Sequence, residues 1–190
     1  MVIERMFDVK GPKVRPVEPG DAPAIARLYA PIVETTTISF EEIAPDAAEI
    51  ARRIEAVTRT HPWLVADDAG SLAGYVYATK YRERAAYRWA VDTSVYVDER
   101  YRRRGIGRLL YAELFATLRR LGYLRAFAGV ALPNAGSEAL HEAVGFREVG
   151  TYRAVGFKFG RWHDVRWYGL TLGESATPAE PVPFGSARFE

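Results

Sequence analysis

The sequence predicts one α/β domain with a mixed sheet. Three observations carry this. The middle of the chain alternates strand, helix, strand and helix, and runs with hairpin character flank it on both sides. No internal repeat or linker divides the 190 residues, a length that suits one domain with a proper core.

Taken in order, "VRPVEPGDAPAIARLYAPIV" reads as a short strand and then a helix, with Asp21 in the N-cap place and Ile25, Leu28 and Tyr29 at helical spacing. "PDAAEIARRIEAVTR" is a second helix, opened by Pro45 and Asp46, with Ile50, Ile54 and Val57 on one face. "WLVADDAGSLAGYVYATK" reads as two strands joined by a tight turn. A polar loop, "YRERAAY", leads to the strand "RWAVDTSVYV". A long apolar-periodic helix follows and stops at Gly122, then the strand "LRAFAGVAL" and a short helix, "GSEALHEAVG". "FREVGTYRAVGFKFG" and "WHDVRWYGLTL" are β-rich and expected to pair antiparallel. Residues 173–190, with Pro178, Pro181 and Pro183, are expected to form a disordered tail.

Composition closes several routes. The chain has no cysteine, which excludes disulfides, thiolate metal sites and cysteine nucleophiles. Residues 1–13 carry Glu4, Arg5, Asp8 and Lys10, so they read as an N-terminal extension, not a signal peptide. No apolar run is long enough to span a membrane, and a cytoplasmic protein is expected. Net charge is only +2, which gives no basis for bulk nucleic-acid binding. The basic residues are concentrated locally instead, at Arg100, Arg102, Arg103, Arg104 and Arg108, as a small anionic partner would require.

That cluster lies where a strand, Val95-Tyr96-Val97, turns into a helix. The first turn of a helix exposes unpaired N–H groups and the positive end of its dipole, and glycines there let an anion approach the backbone. Two common phosphate loops fail: Gly107 is followed by Arg108-Leu109 where a Walker A motif needs Lys-Ser/Thr, and Leu110 stands where the dinucleotide fingerprint needs a third glycine. What fits is Arg-x-x-Gly-x-Gly, in Arg102-Arg103-Arg104-Gly105-Ile106-Gly107.

This segment resembles the pyrophosphate-binding motif of the GCN5-related N-acetyltransferases (GNAT), which hold acetyl-CoA. "ALPNAGSEALHEAVGF" is similar to the second half of that cofactor site. "VGFKFGRWHDVRWYGL" and "PIVETTTISFEE" resemble the terminal hairpin and first substrate loop of the branch that acetylates phosphinothricin and methionine sulfoximine. The resemblance implies an acetyltransferase domain over residues 14–172, with a mostly antiparallel twisted sheet, helices on both faces and a splayed strand pair holding acetyl-CoA. It implies that backbone groups of Val95, Tyr96 and Val97 pair with the pantetheine arm. The turn of Arg102, Arg103, Arg104, Gly105, Ile106, Gly107 and Arg108 would hold the pyrophosphate, and Asn134 would contact the pantetheine. "LRAFAGVAL" would splay away to leave a slot for the thioester. No metal is implied.

Acetyl transfer to an amine needs a proton acceptor for the nitrogen, a donor for the developing oxyanion and a proton for the leaving thiolate. Asp92, inside the apolar strand "WAVDTSVYV", is the candidate base; the alternative is an ordinary hydrogen-bonded strand aspartate. The resembling branch usually has glutamate there, and the shorter aspartate favours action through a water. His141 falls where many relatives have a tyrosine acting as general acid, and "LHEAVGF" matches the histidine form of the branch. The alternative is a helix histidine satisfying a backbone carbonyl. His61 reads as a loop residue and His163 as structural or wall-forming.

In "ATKYRERAAYRW", Lys80 and Arg82 read as solvated, whereas the resemblance assigns Arg84 and Tyr87 to the anionic end of an amino-acid-like substrate. Phe40 and Tyr77 would be apolar walls, or core. The expected activity is acetyl-CoA-dependent N-acetylation of a small amino acid. Acetylation of a protein or peptide and non-catalytic acyl-CoA sensing are the rivals. A homodimer through the aromatic C-terminal hairpin is expected.

Overall fold

The computed structural model describes residues 11–187; the first ten residues of the expected N-terminal extension lie outside them. Among the described residues, seven strands and four α-helices follow one another as β1 (Lys13–Pro16), α1 (Ala22–Thr35), α2 (Ala47–Thr58), β2 (Trp63–Asp68), β3 (Ser71–Lys80), β4 (Ala90–Val97), α3 (Ile106–Arg120), β5 (Arg125–Ala131), α4 (Ala135–Ala143), β6 (Arg147–Lys158) and β7 (Arg161–Thr171). The strands form one sheet in the order β1-β2-β3-β4-β5-β7-β6. Every pairing is antiparallel except β4 with β5.

Period-two alternation along the strands sends side chains to two cores. Leu64, Val76, Val91 and Ala126 meet Leu110, Tyr111, Leu114 and Leu118 of α3 on one face. Val65 and Tyr75 meet Ile25, Val33, Ile50 and Ile54 of α1 and α2 on the other. Each of these large side chains, taken out of water, contributes about 1.5–3 kcal/mol.

The helix starts differ. Asp46 caps α2 as its position predicts, accepting from the Glu49 N–H at 2.7 Å. Asp21 precedes α1 but does not bond to its amides. A short 3-10 turn at residues 19–21 swings its carboxylate back, where it receives the Arg15 guanidinium at 2.8 Å and the Glu18 N–H at 2.7 Å.

The C-terminal segment departs from expectation: its described part, up to residue 187, is docked. The Trp89 indole donates to Ala179 O at 2.7 Å, the Val182 N–H to Leu121 O at 2.8 Å and the Phe184 N–H to Thr60 O at 3.1 Å. Phe184 is buried in the α3-side core, and Glu180 pairs with Arg88. Composition registers the prolines, but not that an extended strap needs only one buried aromatic and a few backbone bonds to dock.

Candidate active site

The site is organised by a fork in the sheet. Strands β4 and β5 pair only at Ala90↔Arg125, Val91↔Ala126 and Asp92↔Phe127. Thr93 closes the last rung with its side chain, whose hydroxyl donates to Phe127 O at 3.0 Å. Beyond that point β4 stays with β3 as far as Val97↔Gly74, while β5 follows β7. The backbone of Ser94–Val97 is therefore unpaired on the β5 side, as a peptide-like ligand adding itself to a strand requires.

A cavity of about 730 Å³ continues the fork. Val95, Tyr96, Val97, Arg102, Arg103, Gly105, Ile106, Gly107, Arg108 and Asn134 all line it. Arg104, expected among them, turns its guanidinium over the Tyr101 ring at 5.6 Å instead. Gly105 is the N-cap of α3 with φ 82, and a Cβ there would meet nothing, so the backbone conformation is what calls for glycine. Gly107 is different: a Cβ would fall 2.7 Å from Leu140, so this glycine admits α4 against α3. Asn134 caps α4, its carbonyl accepting from the Ser137 N–H at 3.2 Å, which leaves its NH₂ for a ligand. An unpaired strand edge leading to a helix start with a positive-φ glycine and arginines fits an amide chain that ends in phosphates. Among the described residues, no cluster of histidines and carboxylates could hold a metal ion.

Asp92 stands at the fork on the α1 side. One carboxylate oxygen is 3.9 Å from the Arg82 guanidinium, and the other is buried without a partner. Burial pushes its pKa up to about 6, against the opposing pull of Arg82. The chain thus holds, at the fork, a carboxylate whose pKa burial raises to about 6.

His141 is buried and held at both nitrogens. Nδ1 lies 2.7 Å from Ser137 O, and since a carbonyl only accepts, Nδ1 carries the proton. Nε2 then accepts from the Tyr111 hydroxyl at 2.8 Å. Burial lowers the imidazole pKa and the Ser137 bond opposes that change. The backbone-carbonyl alternative is thus met, and the ring also lines a cleft of about 50 Å³ at the fork, with Thr93, Ser94 and Gly129.

The structure separates the residues expected to bind substrate. Tyr87 packs edge-on against Tyr81, which stacks on Phe127 at 4.5 Å. Arg84 is exposed and its carbonyl accepts from the Tyr87 N–H, whereas the guanidinium beside Asp92 belongs to Arg82, lying over Tyr81 at 4.2 Å. Phe40 seats on Gly156, where a Cβ would be 2.2 Å from its ring, and faces His163 at 6.1 Å. Tyr77 is drawn into an aromatic stack with Trp63 at 4.5 Å. The loop bearing Phe40 is fastened by buried Lys158, which donates to Val33 O at 2.6 Å and Ser39 O at 2.7 Å. Trp167, whose indole nitrogen is buried without a partner, lies under the Arg82 guanidinium at 5.8 Å and over Gly129. Lys158, Trp167 and Tyr111 had no signal in the sequence beyond the strand and helix patterns that contain them.

Over residues 14–167 the chain matches the family described as "Acetyltransferase (GNAT) domain". It is 36% identical over 171 residues to a phosphinothricin N-acetyltransferase of Streptomyces viridochromogenes, covering 90% of this chain and 92% of that one. It is 32% identical over 166 residues to an L-methionine sulfoximine/L-methionine sulfone acetyltransferase of Salmonella typhimurium, covering 87% and 97%. Among solved structures, a GNAT phosphinothricin acetyltransferase from Sinorhizobium meliloti, in complex with AcCoA, aligns with TM-score 0.85 and 34% identity over 93% of this chain and 97% of that one.

Proposed function

The chain belongs to the GNAT acetyltransferase family, and we propose that it acetylates the α-amino group of a small amino acid with a second polar or anionic head, of the phosphinothricin or methionine sulfoximine kind. The observation that carries this is the pairing at the fork: a partly unpartnered carboxylate, Asp92, beside a cation, Arg82, on one apolar-walled face. An α-amino acid presents the complementary pair, an ammonium and an anion. The names of the relatives support the same substrate class.

Acetyl-CoA supplies the activated acetyl group as a thioester. The chain's residues supply the rest. The Val95–Val97 edge and the Gly105 turn bind and orient the donor. Asp92 takes a proton from the ammonium, directly or through one water, so that the nitrogen can attack the carbonyl carbon as the C–S bond breaks. His141 serves the proton that the departing thiolate needs. Arg82, with the neighbouring Tyr81 and Trp167, receives the anionic head. The reaction draws on acetyl-CoA, which suits a cytoplasmic location.

A second copy of the chain is the proposed partner. Strand β6 is the sheet edge, and the hairpin it forms with β7 exposes Val155, Phe157, Phe159 and Trp162, the last at 62%. An apolar edge of this kind calls for a cover, and a two-fold pairing supplies one from the same surface.

The test of the activity is release of CoA thiol from acetyl-CoA with phosphinothricin, methionine sulfoximine, methionine sulfone and basic peptides. Turnover with the amino acids is expected. Turnover with the peptides alone would overturn the substrate class.

A further inference from the structure

The space for a donor narrows at the fork. The cavity of about 730 Å³ runs from the Gly105 turn along Val97 to Val95, and beyond it lies the cleft of about 50 Å³ that Ser94 and Gly129 line. Ile38, Val95, Tyr96, Asn134 and Ser137 line both, so they stand where one opens into the other. Val95 and Tyr96 pack against the two cores, and Asn134 and Ser137 open α4. Ile38 is different: it comes from the loop after α1 and is 41% exposed, an apolar residue at the mouth of the cleft. Its neighbours are fastened by β6. The buried Lys158 donates from Nζ to Ser39 O at 2.7 Å and to Val33 O at 2.6 Å, the latter among the last carbonyls of α1, which have no partner within the helix. Lys158 is held in turn, for its carbonyl accepts from the buried His163 Nε2 at 3.0 Å. One residue after Ser39, the Phe40 ring fills the notch left by Gly156.

We propose that Ile38 limits the acyl group of the donor to a short chain, and that Lys158 and the seat of Phe40 on Gly156 are what position Ile38. This rests on acetyl-CoA lying along the fork in the proposed reaction. A CoA chain with its phosphates at the Gly105 turn and its arm along Val97 to Val95 delivers its thioester at the mouth, with the cleft ahead of it. A space of about 50 Å³ holds about four water-sized groups, enough for an acetyl and too few for a butyryl. Extra methylenes in so close a space force strain on the walls. The wall at Ile38 is stiff for two reasons. Its side chain is β-branched, which restricts χ1. Its backbone is pinned from the next two residues, since Ser39 and Phe40 both close on β6, the edge strand of the sheet. The Tyr29 hydroxyl, 2.6 Å from Ser39 Oγ, holds the same point from α1.

Calorimetry on the full chain compares CoA, acetyl-CoA and butyryl-CoA, a readout that needs no acceptor. The wild type should bind butyryl-CoA about tenfold or more weakly than acetyl-CoA. Ile38→Ala removes more carbon than butyryl adds, so the gap should close to about threefold or less. Lys158→Met keeps the length of the side chain and removes its N–H donors. Gly156→Ala places a Cβ 2.2 Å from the Phe40 ring and displaces it. Both should narrow the gap by less than Ile38→Ala, and Gly156→Ala reports alone if Lys158→Met fails to fold. A general loosening of the fold would weaken all three ligands alike and leave the ratio unmoved. Equal affinity of the wild type for acetyl-CoA and butyryl-CoA, or an unmoved gap in Ile38→Ala, overturns the proposal. A gap that closes in Ile38→Ala but stands in the folded Lys158→Met and Gly156→Ala overturns the positioning part. Failure of CoA itself to bind overturns the donor site, and the proposal with it.

Discussion

The Arg82 guanidinium stands 3.9 Å from the Asp92 carboxylate, near enough to attract it and too far to satisfy it. With its second oxygen buried and unpartnered, Asp92 is a carboxylate held at a cost to the fold.

Asp92→Asn separates that cost from its use. The folded pKa, about 6, is raised above the unfolded value near 3.8. The stability involved is therefore fully present below pH 4 and lost as pH rises through 6, where the carboxylate must ionise in place. Wild type and variant should melt alike at pH 4. At pH 8 the variant should be more stable by about 1–3 kcal/mol, since a tenfold change in proton affinity is worth about 1.4 kcal/mol and partial exposure to water trims the total. The same variant should lose roughly 10²-fold in kcat. Thermal melts across pH and steady-state kinetics check both halves; a variant no more stable at pH 8 would show that Asp92 is satisfied in solution.

Arg82→Ala and Arg84→Ala should part company. Loss of Arg82 removes the cation that stands 3.9 Å from Asp92, raising the acceptor KM by about tenfold or more with a smaller change in kcat. It also removes the charge that holds Asp92 down, so the acidic limb of the pH profile moves to higher pH. Arg84→Ala should leave both near wild type. The reverse order in a side-by-side assay would return recognition of the anion to Arg84.

The two loop glycines should fail in different ways. Gly105→Val forces a branched residue to φ 82 with no clash, so CoA affinity by calorimetry should fall while the melt drops modestly. Gly107→Val drives into Leu140, so its main effect should be a lower melting temperature. Equal CoA affinity in Gly105→Val and wild type would take that turn out of the site.

Sedimentation tests the hairpin. At micromolar concentration the wild type should run as a dimer, and Phe157→Asp with Trp162→Asp should run as a folded monomer. A wild-type monomer refutes the pairing.

Much of this was legible in the residues. The β2–β3 turn, the cap at Asp46 and the stop at Gly122 are local chemistry, and each element formed where that chemistry puts it. The strand-to-helix junction proposed for the pyrophosphate was legible too, since strand, glycine and helix start are consecutive in the chain. Choosing between Arg82 and Arg84 was not: in a loop without period, which guanidinium comes near Asp92 depends on where Tyr81, stacked on Phe127 of another strand, holds the chain. The Tyr111 partner of His141 comes from α3, thirty residues away, and no spacing rule joins the two. Gly107 was read for its ligand-facing side, whereas its tightest neighbour is a helix that follows later in the chain.

The docked C-terminal strap gives the molecule a cooperative boundary of its own. It bonds at several points, among them the start of β5 at Arg125, the loop before β4 at Trp89, the end of α3 at Leu121 and the stretch beyond α2 at Thr60. These points release together or not at all, so the strap behaves as one opening unit, less protected than the cores and lost before them. Amide exchange at Val182 and Phe184 should be slow and matched in rate. A chain cut at residue 172 should keep its sheet, yet let the loop that carries Tyr81 and Arg82 fray from its far end.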